Sequence, residues 1–474
     1  MVMSVSVMKQ VLENTDSDRI SRISKIEESI NYYKNQNDIT RRNNGESVIK
    51  KDGKNELLRS ADNRISNNFH KIIVDQEASY LTTKRPQIDV DDNDDLNQKV
   101  DKILGDYLPL TLNQLVINAC NAGAAWIHYW TNDKGFDYSV VDSSQITPIY
   151  DKGLKNHIVA IRRSYRQLDT DSGKYVDIHE YWDDKTCTSF KSNGSLYTGL
   201  ETNDVFDLID NSTNEVVGNT NVYEHGLGRI PFIKFAKNVY EQRSLDDYKG
   251  LIDAYDSVYN GYLNDLDDIQ QVILVLKNYG DTSLSELKEQ LKKYSAVKFE
   301  SDEAGSGLDT LNIEIPREAR DDMLEITRSE IFLKSKSVDP SKTMISNATA
   351  TAIKQLQSQL EEKASLTEQY FSRGLAELVR AILQYLNVPN YLDIKVAQKW
   401  TRNTVTNVLE QAQALAQVAS FTSKETIAKN NPFVEDYQAE LESLKDDSIN
   451  SDGYGNQSQI DNLSKNPNKD KVDE

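Results

Sequence analysis

"LIDAYDSVYNGYLNDLDDIQQVILVLKNYG", residues 251–280, decides the architecture. Counting from six residues earlier, apolar side chains fall at Leu245, Tyr248, Ile252, Tyr255, Tyr259, Tyr262, Leu266, Ile269, Ile273 and Leu276. The steps alternate three and four, so the spacing predicts one continuous helix with an apolar stripe. At 1.5 Å per residue such a helix spans about 50 Å. Its other faces carry Asp246, Asp247, Asp253, Asp256, Asp265, Asp267 and Asp268 against only Lys249 and Lys277. A helix this long must bury its stripe on a partner helix or on a neighbouring chain.

Working outward, the 474 residues allow two or three domains. With 75 acidic and 55 basic residues the net charge is −20, which argues against a protein that coats DNA by neutralising phosphates. It leaves room for one past which DNA slides. Cys120 and Cys187 form no disulfide framework or zinc spacing and suit a reducing compartment. The first twenty residues show no signal-peptide pattern. The best apolar run, "VILVL" at 272–276, is far short of the roughly 20 residues of a membrane helix. A cytoplasmic protein or a soluble assembly, with no membrane, is expected.

Residues 1–60 are polar, with a basic cluster at Arg41, Arg42, Lys50, Lys51, Lys54 and Arg59, and read as a solvated arm. A helix is expected within 61–83, ending before Pro86, and another over 97–122. The acidic run "DVDDNDDLNQ" at 89–98 lacks the Gly and Glu of a calcium loop and reads as a helix start. Residues 135–235 are mainly β. Beyond the opening stretch come a short helix at "SLSELKEQLKKY", two strands around "DEAGSG", and a helix over 317–335. A polar segment, "SVDPSKTMISNATATAIKQL" at 337–356, leads into a long helix over 348–387, where Gly374 is a candidate bend. "YLDIKVAQKW" returns briefly to β, residues 402–446 are helical, and the tail is expected to be disordered. The fold class is α+β, mainly helical.

No P-loop, H-E-x-x-H, G-x-S-x-G or C-x-x-C occurs. The five histidines share no ligand spacing, and His179–Glu180 is explained by strand alternation. No catalytic residue, metal or cofactor is expected.

Four stretches carry a family resemblance: "KIIVDQEASYLTTKRPQI" at 71–88, "NAGAAWIHYW" with "VDSSQITPIYD" over 121–151, "GRIPFIKFAKN" at 228–238, and the opening stretch. In this order they resemble the portal proteins of tailed bacteriophages, the head-to-tail connectors, in the branch of long-tailed phages of Gram-positive bacteria. The resemblance covers about residues 60–400. It implies an N-terminal arm (1–60), a wing (61–240) with a return strand (388–400), stem helices (241–278 and 317–335) and a clip (279–316). It further implies a tunnel loop (336–348), a long helix (349–387), a helical crown (401–446) and a disordered tail (447–474).

The function implied is a ring, a dodecamer in this family, at the capsid vertex, through which double-stranded DNA is packaged and ejected. Implied partners are the large terminase subunit, a head-completion adaptor, and the major capsid and scaffolding proteins. The implied locations are the virion and, during assembly, the host cytoplasm. The tunnel loop would place Lys336, Ser341, Lys342, Thr343, Ser346 and Asn347 around the duplex, where hydroxyls and amides bond phosphate without reading sequence. The stem carboxylates Asp246, Asp253, Asp256, Asp265, Asp267 and Asp268 would repel the backbone and keep it sliding. The clip residues Lys288, Lys292, Lys293, Glu300, Asp302 and Glu303 would face docking partners. The residues alone leave two alternatives open: a coiled-coil scaffold without a pore, and an Asp-based metal-dependent phosphoesterase.

Overall fold

Residues 5–33 of the polar N-terminal stretch are not a solvated arm, while the basic residues Arg42, Lys50, Lys51, Lys54 and Arg59 lie outside the described residues. In the computed structural model, helix α1 (Val5–Tyr33) is capped by Ser4, whose hydroxyl accepts from Val7 N, and it buries Met8, Leu12, Ile26 and Tyr32. Met8 and Leu12 pack on Phe190. Tyr32 joins an apolar cluster with Phe69, Ile73, Leu245, Tyr248 and Ile252, and polar bonds supplement these contacts. Arg162, fully buried, donates to Leu12 O (3.3 Å), Thr15 Oγ1 (2.7 Å) and Asp16 Oδ1 (3.1 Å), and Arg22 donates to Ile146 O. Contacts of arginine with carbonyls and hydroxyls leave no apolar periodicity, so the sequence hid this helix. The structure describes residues 3–41, 61–269, 273–277, 307–311, 317–343, 350–402 and 408–431, apart from short gaps at 155–156, 171–172, 194–196, 198 and 211–214, together with scattered positions between 433 and 444.

A short helix α2 (Asp38–Arg41) precedes α3 (Phe69–Thr82), strand β1 (Gln87–Val90), α4 (Asp94–Leu104) and α5 (Leu108–Ala122). The single helix expected over 97–122 is therefore two. Gly105 takes φ +66 at the end of α4, and Pro109 sits in the first turn of α5, where its missing N–H costs nothing. The acidic run does start a helix. Asn93 caps α4 by accepting from Leu96 N at 3.1 Å, with Asp94 and Asp95 in the first turn.

The β body is antiparallel throughout. Strands β2 (Ala124–Asn132), β3 (Gly135–Val141) and β12 (Phe232–Ala236) form a sheet in the order β12-β2-β3. A second sheet runs β11-β7-β6-β5-β4, from β4 (Ile146–Tyr150), β5 (Ile158–Leu168), β6 (Tyr175–Trp182), β7 (Thr186–Ser192) and β11 (Val222–Glu224), with β8 (Glu201–Thr202) beside β7. β9 (Phe206–Asp210) and β10 (Glu215–Thr220) make a separate hairpin.

The opening stretch forms α6 (Lys249–Ile269), but the apolar stripe does not stay helical to its end. Residues Ile273–Lys277 are strand β13, paired with β14 (Gly307–Leu311) from Ile273↔Leu311 to Lys277↔Gly307. "ILVL" is a contiguous apolar run, as fits a strand, and its agreement with the helical steps is coincidental. The stem helix expected over 241–278 thus ends by Ile269. β14 meets the expectation of a strand at "LDTLNIEIP", although its partner is β13; "SLSELKEQLKKY", "SAVKFES" and "DEAGSG" lie outside the described residues. Then come α7 (Arg317–Lys334), α8 (Pro340–Thr343), α9 (Ala350–Tyr385) and β15 (Val396–Lys399), which pairs antiparallel with β1. From Thr404 the chain belongs to a separate unit, of which α10 (Val408–Val418) and α11 (Lys424–Asn430) are described, while the tail expected over 447–474 lies outside the described residues.

The main core gathers α3, α5, β2, β12 and α9 around Val74, Leu112, Val116, Ile127, Phe235, Phe371 and Leu378. Gly374 in α9 is there for contact with β12. A Cβ at this position would lie 2.7 Å from the Phe235 ring. Gly374→Ala should therefore lower the thermal unfolding midpoint. Overpacking costs about 1–3 kcal/mol, which outweighs the helix-propensity gain of about 1 kcal/mol. A raised midpoint would show that the ring makes room.

Candidate functional site at the root of the polar loop

The segment leading into the polar loop is pinned at four successive residues. α7 ends as Ser337 N donates to Phe332 O (3.0 Å) and Lys336 N donates to Leu333 O (3.1 Å), with Lys336 left-handed at φ +51. This is the helix-closing arrangement that usually takes Gly or Asn. The backbone of Val338 is then gripped on both sides by the amide of Gln76 in α3. Gln76 Nε2 donates to Val338 O at 2.7 Å, and Val338 N donates to Gln76 Oε1 at 3.1 Å. The Val338 side chain packs with Tyr80, Leu360 and Ala364. Asp339 receives a two-pronged bond from Arg328 of α7, at 2.8 and 2.7 Å, and accepts from Ser341 N and Oγ at 2.9 Å each. Burial alone would raise the Asp339 pKa, but the Arg328 and Ser341 hydrogen bonds hold it below the usual carboxylate value.

Behind this root lies a buried ion cluster. Glu77 of α3 is fully buried. It accepts from Lys237, just past β12, and from Thr367 Oγ1 of α9 at 2.8 Å, while Lys363 of α9 lies 3.0 Å from its other oxygen. Burial pushes the Glu77 pKa up, but the charges of Lys237 and Lys363 override it and hold the carboxyl well below its ordinary range. Beside it His70 bonds Tyr248 Oη (2.7 Å) and Asn121 Oδ1 (3.0 Å). Burial lowers the His70 pKa to about 4, so the ring is neutral near pH 7.

The profile of the family described as "Phage portal protein, SPP1 Gp6-like" matches residues 12–454. The chain belongs to this phage portal family. It is 34% identical over 457 residues to a portal protein of Clostridium phage phiCD119, covering 92% of this chain and 96% of that one. It is 28% identical over 407 residues to the portal protein of Bacillus phage SPP1, covering 81% and 76%. The neck of an empty gene transfer agent particle aligns with 77% of this chain and 90% of its own, at a TM-score of 0.40 and 12% identity. The resemblance read from the four stretches is thus the family itself, and the mixed α+β portal fold follows from it.

Within this portal chain, the expected channel residues divide. Lys336 pairs with Glu362 at 2.9 Å and Ser341 with Asp339, so both help build the root. Lys342 and Thr343 belong to the short helix α8 and not to a loop, because Pro340 starts a turn that Asp339 caps. Ser346 and Asn347 lie outside the described residues, as do the clip residues Lys288, Lys292, Lys293, Glu300, Asp302 and Glu303.

The stem acids are less open than their helical positions suggest. Asp256 is fully buried and accepts from Asn37 Nδ2 (2.6 Å), Asn67 N (3.1 Å) and Asn67 Nδ2 (2.8 Å); burial raises its pKa. Asp253 meets Tyr32 and Lys249, Asp246 meets Arg243, and Asp265 meets Arg320. Asp267 accepts from Asn63 Nδ2 at 2.6 Å and is exposed. Asp268 lies in α6, and its side chain is outside the described residues. A stem of bare carboxylates is therefore corrected. These acids tie α6 to α1, α7 and the segment before α3.

His179 is buried between the Ser164 and Ser192 hydroxyls at 3.0 Å each, and Glu180 serves Arg163, Tyr165 and Trp182. Among the described residues no group of three or more His, Cys, Asp and Glu could hold a metal ion, and no helix is long and apolar enough to cross a membrane.

Sequence reading missed Gln76, Glu77, Lys237, Arg328, Asp339 and Lys363. One signal was available. Glu77 stands midway between Ile73 and Leu81 at i±4, on an apolar helix face where an acid must find a partner.

Glu77→Gln leaves two lysines facing a neutral amide and should cost about 3–5 kcal/mol at neutral pH. Because the folded carboxyl titrates below its unfolded value of about 4.3, its stabilisation is complete above that value and is lost as pH falls. Denaturant titrations should show the gap between wild type and variant constant from pH 7 down to about pH 5 and narrowing below about pH 4.3. A gap that stays constant below about pH 4.3 would refute the ionised cluster.

Proposed function

We propose that this chain assembles into a ring, of twelve subunits as in the portal pattern, at one capsid vertex, where packaged double-stranded DNA enters and later leaves. The family match over residues 12–454 carries the reading. The anchored loop root supports it. A segment meant to stand against a moving duplex needs a rigid base, and Gln76, Arg328 and Asp339 supply one. In this reading the tunnel loop of each subunit begins at this base, and Lys342, Ser346 and Asn347 form a polar collar that contacts phosphates. A chain of charge −20 offers little of the counterion-release binding that would hold DNA still.

The remaining assignments belong to the same proposal. The β body with β1 and β15 is the wing, α6 and α7 are the stem, and residues 279–316 are the clip. α9 is the long helix, and the unit from Thr404 carries the crown. The clip would dock the terminase and the head-completion adaptor, and the outer ring would meet capsid and scaffolding proteins. The protein's work is structural, with ATP hydrolysed by a separate motor, and its place is the virion after assembly in the host cytoplasm.

Negative-stain electron microscopy of the purified chain should show rings with a central hole; solid rods or compact particles would defeat the reading. Lys342→Glu should leave rings intact while phage yield falls through failed packaging or retention. Normal yield from that variant would remove Lys342 from the channel.

A further inference from the structure

A cavity of about 190 Å³ lies where the end of α7, the segment before α6, and α9 come together. Its lining carries five cationic side chains, Lys237, Arg243, Lys334, Lys336 and Lys363, against a single carboxylate, Asp247, which accepts from Gln242 Nε2 at 3.1 Å. In so acidic a chain this is an unusual concentration of donors.

Arg243 is paired with Glu28 and Asp246 and Lys336 with Glu362, yet several donor atoms in the lining keep no acceptor. Glu77 serves both Lys237 and Lys363. An ammonium carries three N–H groups. Lys237 has Glu77 and Thr367 as acceptors, whereas Lys363 has the ion pair with Glu77 and no aligned hydrogen bond. Arg243 is 6% exposed and Ser244, also in the lining, is 5% exposed. The Arg243 Nε atom is buried without a hydrogen-bond partner among the described residues, although its Nη atoms bond Lys25 O, Ser29, Glu28 and Asp246, and the Ser244 hydroxyl lies against the Cys120 thiol. At the rim Lys334 is exposed and makes no ion pair among the described residues. Buried donors left without acceptors are costly, and an oxyanion supplies several acceptors at once.

We propose that this cavity is a binding site for a phosphate-class oxyanion, held by Lys334, Lys336 and Lys363 with Arg243 Nε and the Ser244 hydroxyl. Lys336 stands three residues before Asp339, so an anion here ties the loop root to α9 and to the base of the stem. The site is complete within one chain and does not depend on ring formation. The anion is either free inorganic phosphate or a phosphodiester of the DNA backbone, since both present the same oxygens.

The test measures the thermal unfolding midpoint of the full chain in inorganic phosphate against chloride at equal ionic strength. It compares wild type with the variant Lys334→Ala, which removes an exposed side chain that makes no ion pair among the described residues. Wild type should gain stability that grows with the logarithm of phosphate concentration once the site fills. The variant should match wild type in chloride and lose the gain. No phosphate-dependent rise, or a rise that the variant keeps, would overturn the proposal. Fluorescence anisotropy with a short duplex separates the sources. Duplex binding that phosphate displaces and the variant lacks identifies a backbone phosphodiester, whereas a phosphate response without such binding identifies the free ion. Micrographs of the same samples report on rings independently, so failure of this site and failure of the portal reading are told apart.

Discussion

One fully buried carboxylate, Glu77, organises the centre of the molecule. Taking it out of water would be prohibitive without compensation, and Lys237, Lys363 and Thr367 provide that compensation from two other elements. The arrangement is satisfied only when α3, the end of β12 and α9 are all in place. It therefore acts as a geometric key as much as a source of stability. The same three elements supply much of the apolar core, and the Phe235–Gly374 contact beside the cluster sets how closely the sheet approaches the long helix.

From this centre, polar clamps reach outward. Gln76, one residue before Glu77, grips the backbone of Val338, and Tyr80, one turn later, donates to Glu361 of α9 at 2.7 Å. One face of α3 thus fixes the long helix, while its neighbouring positions fix the root of the polar loop. On the other side Arg243 holds Glu28, Ser29 and the Lys25 carbonyl of α1, and Lys249 holds Asp38 and Asp253. The base of α6 is joined to the N-terminal helix by these ionic and hydrogen bonds together with the apolar cluster of Tyr32, Leu245, Tyr248 and Ile252. Such bonds are directional and fix the orientation of α6 against α1.

What could be read beforehand followed periodicity and punctuation. α7 and α9 showed as long helical patterns, the antiparallel body as alternating runs between Gly, Asn and Asp clusters, and the start of α4 as an acidic turn. The misreadings share a cause. The stripe across Ile273 and Leu276 kept helical spacing although those residues pair in a strand with Leu308 and Leu311, because spacing carries no record of the distant partner. α1 went unseen because its docking surface is read by arginines. The stem acids looked like a uniform charged face, yet Asp256 is enclosed by Asn37 and Asn67, residues far from it in sequence.

The sequence by itself determined the antiparallel β body and the long helices α7 and α9, the placing of a polar segment between those two helices, the charge of the chain and, through four ordered stretches, its family. These depend on local spacing and composition, which each segment carries alone. The tertiary structure alone decided which charges are buried, which acids are engaged, how the loop root is held and where donors accumulate without acceptors. Those properties arise between residues hundreds of positions apart, and a side chain's burial and partners exist only once the chain has folded.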